Sequence, residues 1–353
     1  MTEKQYGGQT GRGNKIEKTS KTSINKSKIN PSEERASNLK GRVGGIESPK
    51  SKISYQEKIL RAGKIASKVR EYIKPLLKKN IPLLEIAEKI ENKIIELDGK
   101  PAFPVNLSIN EIAAHYTPSY DDKTLSHGLL KVDFGVSVDG WCSDQSFSID
   151  LENSDENKKL IQASQEALNK AIEFISKKIE KKEILRTGEI GKTIQETIES
   201  QNFLPIINLS GHQIEQNDLH AGLTIPNIDN KSTEIILSGL YAIEPFVTLN
   251  FASGKVKDGK PSGIYMLTNP KTPRMPLARK ILEFISEEYQ GLPFCSRWII
   301  KKFGTSALFS LKQLEENGNL HQFSQLVESS NSKVAQAEHT IFIEDGKVVV
   351  TTE

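Results

Sequence analysis

The chain predicts an α+β fold built on an antiparallel sheet, and three observations carry that prediction. Several long segments place apolar residues every third or fourth position, the period of a helix with one buried face. Others place them every second position or in short continuous runs, the period of strands. The two kinds follow one another without a strict strand–helix–strand rhythm, which argues against a doubly wound parallel sheet. At 353 residues the chain is long enough to bury a substantial core.

The first segment stands apart. Residues 1–52 hold 12 Lys and Arg against 5 Asp and Glu, which leaves 36 against 40 for the remainder. The net charge of +3 therefore belongs to the tail. Rich in Lys, Ser, Thr, Asn and Gly, this tail has too little apolar surface to offset the entropy of ordering and is expected to be disordered. Its "GGQTGRG" follows no strand and opens no helix, so it is not read as a phosphate loop. Such a basic segment is ordinarily a solvated tail. Its functional reading is a weak, salt-dependent contact with RNA, such as a ribosome surface.

Order is expected to begin near Ser54. In "SYQEKILRAGKIASKVREYIKPLL", Ile59, Ala62, Ile65, Val69 and Ile73 form one helical face, with Pro75 near the end. "IPLLEIAEKIENKIIEL" repeats the pattern and is closed by Asp98-Gly99. "SDENKKLIQASQEALNKAIEFISKKI" predicts a long helix capped by Ser154, and "TGEIGKTIQETIESQ" a shorter one capped by Thr187. Strands are predicted at "LLKVDFGVSV", "GWCSDQSFSIDL", "LPIINLSG", "LYAIEPFVTL", "AEHTIFIE" and "GKVVVTT". Between the last strands, residues 277–317 read as three short helices, so a helical insertion is placed at about 270–325. The catalytic unit as a whole is placed at 53–353.

Two cysteines, Cys142 and Cys295, provide neither a disulfide framework nor a C-x-x-C zinc spacing. No run of eighteen apolar residues occurs, and no apolar leader is visible. The expectation is a cytoplasmic protein with no membrane partner.

The chemistry begins at "KVDFGVSVDGWCSDQSF". Asp139-Gly140 between two apolar runs predicts a two-residue hairpin loop. Paired residue numbers then sum to 279, so Asp133 faces Ser146 and Asp144 faces Gly135. The two aspartates become diagonal neighbours on one face. An arbitrary Asp pair would ordinarily point to solvent. Here, though, Glu244 lies inside the apolar run "LYAIEPFVTL" and Glu338 inside "VAQAEHTIFI". Four carboxylates among buried strands repel one another and call for divalent cations. Four negative charges balance two such ions. His212 and His220, in "SGHQIEQNDLHAG", could be two ligands, two core histidines or one of each. With His212 as a neutral nitrogen donor, the oxygen-rich set suits catalytic Mn, Fe, Co or Zn, the centre of a hydrolase.

"AFPVNLSINEIAAHYTP", the aspartate hairpin, "GHQIEQNDLHAG", "AIEPF" and "AEHTI" together resemble type II methionine aminopeptidases over roughly Ser54 to Glu353. The resemblance implies a pita-bread fold with a helical, winged-helix-like insertion. It also implies a cytoplasmic, monomeric enzyme that removes the initiator methionine from nascent chains whose second residue is small. By the same likeness Asp133, Asp144, His212, Glu244 and Glu338 ligate two metals, with Asp144 and Glu338 bridging and His212 and Glu244 sharing one ion. Glu244 would serve as general base, His220 would steady the tetrahedral intermediate, and His115 would contact the scissile amide. The methionine pocket would use Phe103, Leu219, His220 and Phe246.

Spacing bears on the subtype. Glu244 and Glu338 are 94 residues apart, and the helical insertion fills that gap. Members of the fold that look much shorter across that gap, among them prolidases and X-Pro aminopeptidases, are the alternative reading. A non-catalytic RNA-binding relative is a third. Some positions depart from the pattern. "PFVTLNFASGKV" replaces a glycine-rich stretch, and Ser148 stands where Thr is commoner. Cys142 lies two residues before Asp144 and is read as core packing. His127, His321 and His339 are read as structural, with His339 turned away from Glu338 by strand alternation.

Overall fold

The computed structural model describes residues 53–353. The basic segment 1–52, expected to be disordered, and its "GGQTGRG" lie outside the described residues. Among the described residues every strand pairing is antiparallel. No helix there is long and apolar enough to cross a membrane.

Helix α1 (Tyr55–Ile73) starts at a capping box: Ser54 Oγ accepts from the Glu57 amide while Glu57 reaches back to the Ser54 amide. All five residues of its predicted face are buried. α2 (Leu83–Glu96) follows and stops at Asp98, which adopts positive φ before Gly99. Short strands β1 (Lys100–Pro101), β2 (Asn106–Ile109) and β3 (Ile112–Ala114) lead to the long hairpin of β4 (Leu129–Val138) and β5 (Trp141–Asp150). Asp139 and Gly140 take φ of 52° and 84°, the two positive values of a type I′ turn. A Cβ on Gly140 would fall 2.3 Å from Asn217 Oδ1, so the turn is closed from outside as well.

α3 (Asp155–Glu180) is capped by Ser154, whose hydroxyl accepts from Asn157. In α4 (Thr187–Glu199) the expected cap is corrected. Thr187 is already helical and buried, its hydroxyl donates to Ser232, and Arg186 is the residue before the first turn. Then come β6 (Phe203–Pro205), β7 (Ser210–Ile214), β8 (Thr224–Pro226), β9 (Gly239–Ile243) and β10 (Phe246–Leu249). Two single strands expected from the sequence are therefore split. "LPIINLSG" breaks into β6 and β7 after Pro205. "LYAIEPFVTL" breaks at Glu244-Pro245, because a proline has no amide to continue the ladder.

β11 (Val256–Leu267), α5 (Pro276–Tyr289), β12 (Phe294–Cys295), α6 (Ser296–Phe303), α7 (Ala307–Glu316) and β13 (Leu320–Glu328) form the next segment. Its three helices close around Ile281, Phe294, Ile299 and Leu311. The three helices expected within 277–317 appear as α5, α6 and α7, with strands on either side. β11 and β13 pair along most of their length, and β13 also pairs with β3, which ties the segment into the main body. β14 (Val334–Gln336), β15 (Glu338–Glu344) and β16 (Lys347–Val350) end the chain.

The largest sheet has nine strands and runs β1-β4-β5-β15-β9-β7-β8, with β2 beside β4 and β16 beside β15. Its faces differ. On β4, Val132, Phe134 and Val136 pack with α1 and α2, while Tyr241, Ile243, Ile341 and Ile343 join the core of α3 and α4. Residues of opposite parity, Lys131, Asp133 and Gly135 on β4 and Asp144, Ser146 and Ser148 on β5, share the other face.

Candidate metal centre

The register places the hairpin aspartates as the 279 rule predicts: Asp133 opposite Ser146, Asp144 opposite Gly135. β15 adds Glu338 opposite Ser146 on the far side. Through β9, His212 of β7 faces Ala242, which on its other side faces Thr340. Glu244 is supplied by a break rather than a strand. It follows β9 and precedes Pro245, so its side chain leaves the ladder at the junction between the nine-stranded sheet and the three-stranded β14-β10-β6 sheet. Ala337 occupies the equivalent junction between β14 and β15, and its amide donates to the Pro245 carbonyl. Both glutamates thus stand at coupled breaks.

Ligating atoms of Asp144, His212 and Glu338 lie within 4.8 Å of one another. His212 Nε2 is 3.6 Å from Asp144 Oδ2 and 3.6 Å from Glu244 Oε1. Those separations are too long for hydrogen bonds. Burial drives the imidazole pKa down to about 3, so these contacts are not ion pairs either. Asp133 Oδ1, Asp144 Oδ1 and Glu338 Oε1 are buried without a partner. Burial first, and then the charges of neighbouring carboxylates, hold Asp133, Glu244 and Glu338 well above the usual carboxylate range. Acceptors crowd together with almost no donor between them. The exception is the Gln336 amide, which donates weakly to Glu244 Oε2 at 3.5 Å. Such a cage fits cations, and four carboxylates with one neutral imidazole match the charge of two divalent ions.

The cage opens on a cavity of about 280 Å³ to which Phe103, His115, Leu219, His220 and Phe246 also contribute. Phe103, Leu219 and Phe246 are buried and give it an apolar end. His220 packs edge-on against His212 at 4.4 Å between ring centroids, on the solvent side. His115 Nδ1 lies 3.2 Å from the Ser324 carbonyl, and its backbone is held at a φ of 63°. All ten residues singled out from the sequence line this one place.

Other histidines behave differently. His339 faces away from the cage, with Nδ1 2.8 Å from Thr352 Oγ1 and Nε2 3.4 Å from Arg70. Cys142 is buried in an apolar cluster with its thiol pushed up to about 12, so it offers no thiolate. Sequence reasoning missed several supports. Thr340 Oγ1 accepts from the Asp144 amide and donates to the Asp144 carbonyl, both at 2.7 Å. Ser148 Oγ does the same for Gln336, at 2.8 and 2.7 Å, a task threonine would also perform. Ile264 of β11 and Phe323 and Leu326 of β13 line the cavity from outside the motifs.

Comparison with known proteins decides the family. The model of metallopeptidase family M24 matches residues 57–345. The chain belongs to this family. Methionine aminopeptidase of Methanocaldococcus jannaschii is 44% identical over 300 residues, covering 84% of this chain and 98% of that one. Among solved structures, that of a thermophilic Arx1 has a TM-score of 0.71 at 16% identity, covering 84% of this chain and 90% of that one. Methionine aminopeptidase of Thermotoga maritima has a TM-score of 0.59 at 21% identity, covering 88% and 99%. At such identities the structural likeness speaks for the fold, which is the pita-bread fold of the M24 metallopeptidases. Divalent metal is the cofactor of this M24 protein, and the carboxylate–histidine cage is where the described residues fit it.

Proposed function

We propose that this M24 protein is a type II methionine aminopeptidase, acting as a monomer in the cytoplasm on the N-termini of nascent chains. One observation carries the reading: a five-donor cage lies beside an apolar cavity end, in a chain 44% identical to a methionine aminopeptidase. The subtype rests on the segment β11 to β13, which lies between Glu244 and Glu338 and supplies one wall of the cavity.

Asp133, Asp144, His212, Glu244 and Glu338 would hold two divalent ions, which when bound would supply Lewis acidity toward a carbonyl and lower the pKa of water. Phe103, Leu219 and Phe246 enclose the methionine side chain. His115 and His220 orient the amide carbonyl and steady the charge that develops on its oxygen. Glu244 accepts a proton at its carboxylate and returns it to the leaving amine.

The test is release of free methionine from Met-Ala-Ser after chelation and stepwise return of Mn, Fe, Co or Zn, with Ala-Pro-Ala as control. Restored methionine release supports the reading and begins to rank the metals. Cleavage of the proline peptide alone would move the protein to the prolidases, and silence on both would remove the enzymatic assignment.

A further inference from the structure

A buried ion pair outside the metal cage joins α2 to α6. Glu91 and Arg297 are 6% and 5% exposed. Arg297 Nη1 and Nη2 donate to Glu91 Oε2 and Oε1 at 2.6 and 2.8 Å, fork onto fork, and Trp298 Nε1 donates to the same carboxylate at 2.9 Å. Arg297 does more than neutralise a charge. Its Nε donates to the Pro118 carbonyl at 3.1 Å, and Nη2 lies 3.5 Å from Thr117 Oγ1. Replacing such a buried pair by apolar groups of like volume is often neutral or stabilising. Its geometry therefore bears on position more than on stability.

The position concerned is His115. This residue carries a β-carbon yet sits at a φ of 63°, a conformation that persists only where the surroundings over-determine it. Two grips are visible. The Ser324 carbonyl and the edge of Phe323 hold the imidazole from β13. Arg297 holds the Thr117 hydroxyl and the Pro118 backbone carbonyl, two and three residues further on. Both grips come from the segment between Glu244 and Glu338. The Nδ1 contact to Ser324 leaves Nε2 for the cavity that His115 lines.

We infer that Glu91 and Arg297 are a positioning pair for His115, by which the inserted segment holds that imidazole against the substrate amide. The inference rests on the reading of His115 as a substrate contact. It differs from a structural role in a measurable way, because a device acting through His115 has nothing left to do once His115 is gone.

The experiment compares Glu91→Met/Arg297→Met, His115→Ala and the combined triple variant on Met-Ala-Ser. Melting temperature and metal affinity by competition titration are measured on each. The double variant and His115→Ala are each expected to lower kcat/KM by about 10- to 100-fold with metal affinity unchanged. The triple variant should then match His115→Ala within about twofold. Losses that multiply in the triple variant would overturn the inference. Arg297→Lys, which keeps the charge but not the fork, should reproduce the loss if the double variant does not fold. Should His115→Ala retain full activity, the substrate-contact reading fails by itself. The pair is then judged by nitrogen-15 histidine spectra of Arg297→Lys. A displaced His115 resonance with His212 in place is expected, and an undisturbed His115 would rule the device out.

Discussion

Asp133 and Glu338 flank Ser146 from opposite sides, each paired directly with it across one step of the sheet. Asn106 extends the same line beyond Asp133. Asn106, Asp133, Ser146 and Glu338 thus form one transverse row over four strands, β2, β4, β5 and β15, and each has a buried side-chain oxygen without a partner. A row of unmatched acceptors destabilises a fold unless a cation binds it. The architecture therefore makes metal binding a folding term as well as a catalytic one.

Metal should accordingly raise the melting temperature. A ligand at about a thousand times its Kd stabilises by about 4 kcal/mol, and for a domain of this size each kcal/mol moves Tm by roughly 2–4 °C. Scanning calorimetry with chelator and with saturating Mn or Co should therefore show a rise of roughly 8–16 °C. An unchanged Tm would mean that the cage does not hold metal in the folded state.

The metal-free protein should lose stability as pH rises through neutrality. Its carboxyls have folded pKa values raised above the unfolded ones by burial, Asp144 to about 7. Between about 4 and 7 these carboxyls bind more protons in the native state than in the unfolded one, a contribution that falls with increasing pH. His212 opposes this, because its folded pKa of about 3 lies below the unfolded value. It contributes stability that is present above about 6.5 and lost as pH falls. Burial lowers His115, His220 and His339 as well, so the histidines offset the carboxyls below about 6.5, and the fall emerges above it, where unfolded histidines are already neutral and the raised carboxyls still titrate. Urea melts with chelator from pH 6.5 to 8 should show a falling midpoint, and the metal-loaded protein should not follow it. Metal affinity should rise over the same range as protons are displaced.

How much of this could be read beforehand depends on the range of the interaction. Asp139-Gly140 fixes a two-residue loop, and with it every pairing of β4 with β5, so the aspartate geometry was visible in seventeen residues. The helices were legible because a buried face repeats locally. The breaks at Glu244-Pro245 and Ala337 were not. Each apolar run reads as one strand, and only the tertiary meeting of two sheets separates the halves. β11 and β13 were missed because their pairing carries irregularities near Pro261, and their exposed lysines and glycines mask a period of two. Glu91 and Arg297, 206 positions apart, look like any charged residues on helices.

Glu244→Gln should fold normally and lose most of its turnover. The amide keeps the shape and relieves like-charge repulsion from Asp144 and Asp133. It cannot accept a proton, however, and a general base contributes about 10²–10⁴-fold. Steady-state kinetics beside a melting curve separate the two effects. Turnover within threefold of the parent would remove Glu244 from proton transfer.

Deletion of residues 1–52 should leave kcat/KM on short peptides within about twofold, since every residue assigned to the cage and cavity lies in 53–353. If co-sedimentation with ribosomes at low salt is also unaffected by the deletion, the RNA-contact reading of the tail falls.

Thr340 offers the sharpest separation of positioning from ligation. Its hydroxyl satisfies both the amide and the carbonyl of Asp144, bridging β15 to β5 where the ladder itself carries no pairing. Thr340→Val keeps the volume but leaves a buried amide without an acceptor, at a cost of about 1–3 kcal/mol. The freed backbone also loosens the aspartate, so metal affinity should fall by about tenfold or more, as when a group supporting a ligand is removed. Thr340→Ser restores the hydroxyl and should recover affinity, though not all of the packing. Isothermal titration of the three proteins decides it: if Val and Ser bind metal alike, the bridge contributes to the sheet and not to the centre.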